Sequence, residues 1–136
     1  SIRLVLRAKT DGDTNAMRSL SQAMDTAINQ ALVRPGMFVA NDDIEAVDVL
    51  VRTHGALGPT NLALTKALGV HLWPIALNGI APSVSALRSG AYPLRKSFYV
   101  VIAHSASPTA KRFVEYLKSS EADIVLHRFD CIRPGR

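Results

Sequence analysis

The chain has 136 residues, which suits one domain with a core of ordinary size. Its 48% apolar and 20% charged residues match a soluble globular protein, and no apolar run nears the roughly 20 residues of a membrane-spanning helix. The formal charge of +5 is scattered, with no basic run and no interleaved aromatics, so nucleic acid is not an expected partner.

The opening Ser1-Ile2-Arg3-Leu4-Val5-Leu6-Arg7 reads as a buried strand and not as a secretory leader. An export signal, if the parent has one, would lie upstream of Ser1. Thr10-Asp11-Gly12-Asp13-Thr14 follows as a turn rich in helix-capping side chains. Met17, Leu20, Met24, Ala27, Ile28, Ala31 and Leu32 then recur at helical spacing and predict one helix of about five turns. Arg34-Pro35-Gly36 ends it.

Met37 to Ala40 predicts a short strand. Asn41 is the expected N-cap of the next helix, with Asp42, Asp43 and Glu45 in its first turn. Ile44, Val47, Leu50 and Val51 would form its buried stripe. Gly55-Ala56-Leu57-Gly58-Pro59 breaks that helix, and Asn61 to Leu68 fits either a helix or an irregular strand.

Val70 to Leu77 predicts a strand in which Pro74 marks an edge or bulge. Asn78-Gly79 is a turn, and Ser83 to Ser89 is a short helix after Pro82. A turn over Gly90 to Leu94 leads into a predicted strand, Ser97 to Ala103. Ser107-Pro108 is an N-cap with proline at the first helical position, and Phe113, Tyr116 and Leu117 are expected to face inward. Ile124 to Leu126 belongs to a last helix or strand, and Arg133 to Arg136 is a tail. The alternation gives an α/β class, a mixed sheet flanked by helices, in a single domain over residues 1–136.

Few constellations carry chemistry. His54, His71, His104 and His127 lie far apart, so no metal site and no cofactor is expected. No nucleophile elbow or phosphate loop is present, and the chain reads as a non-enzyme. Cys131 is alone and reads as a small residue in the fold. Arg7 to Thr14 is the exception. There a strand ends in a cation, a turn containing Gly12 follows, and a helix begins whose first N–H groups lack intrahelical partners. Such a segment suits a small anion held by Arg7, Thr10, Asp11, Gly12, Asp13 and Thr14. It equally suits a capped helix start in which Arg7 pairs with Asp11 or Asp13.

The ordered motifs extend this reading. Asn78-Gly79-Ile80-Ala81-Pro82 leads through Gly90-Ala91-Tyr92-Pro93-Leu94 to an apolar strand and then Phe113-Val114-Glu115-Tyr116-Leu117-Lys118-Ser119. Gly55-Ala56-Leu57-Gly58 precedes them, and Arg133-Pro134 comes late. In this order they resemble the C-terminal half of phosphate-type solute-binding proteins of bacterial ABC transporters, and the likeness covers nearly the whole chain. The resemblance implies one lobe of a type 2 periplasmic-binding-protein fold, with the first lobe upstream and the ligand, phosphate or another oxyanion, in the interlobe cleft. It implies a periplasmic or extracellular site of action and membrane transporter subunits as partners. The family's anion loop reads R-S-D-G-S-G-T. Arg7 matches its arginine and Gly12 its second glycine, but Asp11 stands at a serine, Asp13 at a threonine, and Thr14 follows one position late. Either the two aspartates point away as helix caps, or the ligand is not free phosphate, and one with an amine or a weaker charge would suit them better. A sensory or effector domain of the same fold, in a signalling or transcriptional regulator, is the alternative. Apolar helix faces without a lobe partner would favour a homodimer of this piece.

Overall fold

A computed structural model describes residues 1–133, so Pro134, Gly135 and Arg136 of the expected tail lie outside the described residues. In chain order the elements are β1 (Arg3–Leu4), β2 (Leu6–Arg7), α1 (Gly12–Arg18), α2 (Gln22–Leu32), β3 (Val39–Ala40), α3 (Asp43–Arg52), β4 (Ala56–Leu57), α4 (Leu62–Ala67), α5 (Val84–Ser89), α6 (Pro108–Leu117) and α7 (Ser120–Arg128).

The opening run is the middle row of a small parallel arrangement. β1 pairs with β4, Arg3 opposite Ala56 and Leu4 opposite Leu57. β2 pairs with β3, Leu6 opposite Val39 and Arg7 opposite Ala40. The Val5 N–H donates to the Leu57 carbonyl at 2.9 Å and carries the β4 pairing past β1. Parallel neighbours need crossovers, and helices supply them: α1 and α2 lie between β2 and β3, and these with α3 lie between β1 and β4. Val5 and Leu6 point to opposite faces of the strand, yet they are 2% and 3% exposed. Both faces are therefore covered, which accounts for a continuous apolar run where a half-buried strand would alternate.

The core sits on this middle row. Val5, Ala40 and Ala46 form its centre, with Val49, Leu50 and Ala56 packed around them. Gly58 extends β4 directly against the run: a Cβ there would lie 2.3 Å from the Val5 carbonyl oxygen. Glycine is needed at this point because the backbones approach too closely for a side chain.

Several expectations are corrected. The single helix over Met17 to Leu32 is two helices. The Ser19 N–H closes α1 on the Asn15 carbonyl, and the Ser21 hydroxyl caps α2 by accepting the Met24 N–H. Serine oxygens offer the backbone an alternative to continuing the helix. Arg18 donates to Asp25 at 2.5 Å across the break. The N-cap of α3 is Asp42 and not Asn41: Asp42 accepts the Glu45 N–H, while Glu45 reaches back to the Asn41 N–H. On α3, Val47 is buried with Ala46, but Ile44 and Val51 are exposed. Asn61 to Leu68 resolves as a helix, with Asn61 capping α4.

The larger correction lies in the second half. Neither 70–77 nor 97–103 forms a strand, so the paired strands are parallel and the expected mixed sheet is absent among the described residues. The antiparallel element there is the Leu77–Ile80 bridge closed by the Asn78-Gly79 turn, both turn residues at positive φ. β-propensity measures fit to a pleated, half-buried surface, and neither segment has one. Trp73 and Val101 are 97% and 88% exposed. On α6, Phe113 and Tyr116 also stay exposed and stack on each other, centroids 6.4 Å apart. α6 is capped by Ser107 with Pro108 at its start, as its sequence predicts. Arg133 ties α6 to α7, donating to Asp123 and to the carbonyls of Leu117 and Ser119. Lys66 bonds Asp130 at 2.6 Å and brings the end of α7 to α4.

Candidate functional site

Ligands of open parallel sheets gather at the carboxyl ends of the strands, where the connections diverge. β2 ends there on Arg7. The chain turns back at once, with the Asp11 N–H donating to the Ala8 carbonyl at 2.9 Å, and enters α1. Asp11 is the N-cap: its carboxylate accepts the Asp13 N–H at 2.8 Å and the Thr14 N–H at 3.4 Å. Thr14 is fully buried, and its hydroxyl donates to the Arg7 carbonyl at 3.1 Å. Strand end and helix start are thus joined by one side chain behind the site.

The pairing of Arg7 with Ala40 sets the start of α3 beside the start of α1. Three carboxylates converge on the Arg7 guanidinium as a result. Asp11 lies at 2.6 Å and Asp13 at 3.5 Å, and Asp43 makes a short contact to Nη1. Lys96 arrives from the second half of the chain, 2.8 Å from Asp13 and 3.9 Å from Asp43. Arg7 Nε is buried without a hydrogen-bond partner. Two cations against three carboxylates leave the cluster a formal charge of −1.

This geometry redistributes the roles expected from sequence. Arg7, Asp11 and Asp13 come together, in the paired arrangement that the sequence left open beside the anion site. The Asp11 carboxylate sits where an oxyanion would: against the guanidinium and on the first amides of α1. Gly12 begins α1, and a Cβ there would meet nothing within 4 Å, so this corner is open. Thr14 supports the site from beneath, whereas Thr10 is exposed in the turn. Sequence reasoning missed Asp43 and Lys96. Asp43 carried a usable signal, since it lies in the first turn of the helix that follows the neighbouring parallel strand, just as Asp13 does after β2. Lys96 carried none, because a long connection delivers it.

A hollow of about 380 Å³ adjoins the cluster. Asp43 forms its charged edge, and Asn61, Ala63, Leu64, Ala67, Phe98 and Phe129 line the rest. Asn61 spends its side-chain oxygen on the Leu64 N–H at 2.8 Å. Further away, burial pushes the Cys131 thiol pKa up, and the Asp130 carboxylate adds to the shift. Burial likewise raises the pKa of Tyr92, whose hydroxyl donates to the Ile75 carbonyl at 3.0 Å. Comparison with family models, with curated proteins and with solved structures finds no match to this chain.

Proposed function

We propose that this chain is the ligand-binding domain of a phosphate ABC transporter-like solute-binding protein. Its share of the interlobe cleft is the cluster Arg7, Asp11, Asp13, Asp43 and Lys96. The protein acts outside the cytoplasm without catalysing a reaction, and the membrane subunits read its ligand-closed form. The ordered motifs from Gly55 to Ser119 support the family reading. The observation that carries the site is the convergence of side chains from separate chain segments on one guanidinium at the strands' carboxyl ends.

The electrostatics narrow the ligand. A free oxyanion must displace Asp11 from Arg7 and enter a cluster already at −1, and both steps cost affinity. A small ligand carrying a positive group, alone or beside a negative one, meets neither obstacle. Titration of the isotope-labelled chain with glycine, phenethylamine and phosphate, followed by amide NMR, tests the reading. The amides of residues 11–14 and 41–43 are expected to shift together and saturably with at least one probe. Shifts confined to other regions, or none, would sink the site.

A further inference from the structure

We propose that the ligand joins a protonated amine to a compact apolar body, with the amine on Asp43 and the body in the hollow against Leu64, Phe98 and Phe129. The inference rests on the reading of the Arg7 cluster as a ligand site and adds the chemical class.

Asp43 is the one residue that the cluster and the hollow share. Its Oδ1 is turned to Arg7, but its Oδ2 lies 3.9 Å from Lys96 Nζ, beyond hydrogen-bond length. At 36% its side chain is more exposed than those of Asp11 and Asp13, at 14% and 11%. Asp43 is thus the most exposed carboxylate of the cluster and the one that lines the hollow, where a donor can join Lys96 on it. Lys96 stays anchored on Asp13 at 2.8 Å and need not leave.

The rest of the hollow selects the body. Asn61 gives its side-chain oxygen to the cap of α4, and apart from Asp43 the other lining residues are alanine, leucine and phenylalanine. An anion entering here meets a carboxylate first, with both cations already engaged behind it. A cation meets the carboxylate directly, and the exposed Phe98 lines the same hollow with a ring that can attract it. The hollow is shallow and open, so it covers one side of a small apolar body and does not enclose it. Residues 96–98 link the two halves of the argument, since Lys96 reaches the cluster and Phe98 the hollow.

The test compares phenethylamine with 3-phenylpropionate, which has a similar body and the opposite charge, and with inorganic phosphate. Amide NMR titration of the chain reads all three. Phenethylamine is expected to shift Asp43, Leu64 and Phe98 amides saturably, and the other two probes to leave them in place. Asp43→Asn should weaken phenethylamine at least about tenfold, the loss of a charge-assisted hydrogen bond. Phe98→Ala should weaken it about three- to tenfold while leaving the cluster intact, which guards against a folding defect in the first variant. Binding of phosphate or 3-phenylpropionate at residues 11–14 and 41–43, without phenethylamine, overturns the amine class and leaves the cluster as a ligand site. No shift with any probe overturns both.

Discussion

Asp11 and Arg7 meet at 2.6 Å, and the same Asp11 carboxylate caps α1. One side chain thus neutralises the strand-end cation and occupies the helix amides that would otherwise attract a ligand anion. The protein carries its own anion at the place where the sequence pattern leads one to expect a bound one. The cluster is therefore a structural joint in which the place of an oxyanion is already taken, and on the proposed reading its preference turns to a positive group.

Thr14 tests the joint. Its hydroxyl is fully buried and satisfies the Arg7 carbonyl. Thr14→Val keeps the shape and leaves that carbonyl without its donor, so it should cost about 1–3 kcal/mol. Urea denaturation measures the loss. An unchanged midpoint would show that the Arg7 backbone is held by β3 pairing alone.

Gly58 tests the close approach of the rows. A methyl group there would lie 2.3 Å from the Val5 carbonyl oxygen, a backbone atom that cannot swing away. Gly58→Ala should destabilise by about 1–3 kcal/mol, as overpacking does, and should loosen the β1–β4 pairing first. Amide exchange at Arg3 and Val5, which donate to the Gly55 and Leu57 carbonyls, would report it directly.

Legibility followed the range of the interactions. The opening strand, the Asn78-Gly79 turn, the capping turn around Asp11 and the cap at Ser107 are local, and local chemistry announced them. The break at Ser19-Leu20-Ser21 was masked because Met17, Leu20 and Met24 keep helical spacing through it. Residues 97–103 have a strand's composition, but a strand also needs a neighbour, and no short window reveals whether one exists. In the site, Arg7, Asp11 and Asp13 were readable as a unit because one turn holds them. Asp43 and Lys96 join through parallel register and a long connection, which no spacing rule reaches.

Alkaline pH should weaken the fold. The pKa values of Cys131 and Tyr92 are both raised in the folded protein. The unfolded chain then releases these protons more readily, so stability falls as pH rises from the ordinary pKa of each group through its raised value. Thermal unfolding from pH 8 upward should show the decline, and Cys131→Ala should remove the part contributed by the thiol. A flat profile in the wild-type chain would contradict the burial of both groups.

The exposed apolar run from Phe98 to Ile102 should drive self-association. Antiparallel pairing of two copies about Val100 sets Phe98 against Ile102 and Tyr99 against Val101, favourable aromatic and β-branched pairs. Analytical ultracentrifugation should find a concentration-dependent dimer, and Val100→Lys should abolish it, because the two-fold register sets the two introduced lysines directly opposite each other. A strict monomer at high concentration would contradict this.

The proposed reversal of charge preference is tested most directly by phosphate titration of the wild-type chain and of Asp11→Ser, followed by amide NMR. Serine retains the cap but removes the carboxylate that holds the oxyanion's place, leaving Arg7 with Asp13 and Asp43 and the cluster formally neutral. The wild-type chain should bind phosphate at least about tenfold more weakly than Asp11→Ser, with the variant's shifts centred on residues 7–14. Phosphate binding to the wild-type chain as tight as to the variant would show that Asp11 does not hold the anion's place.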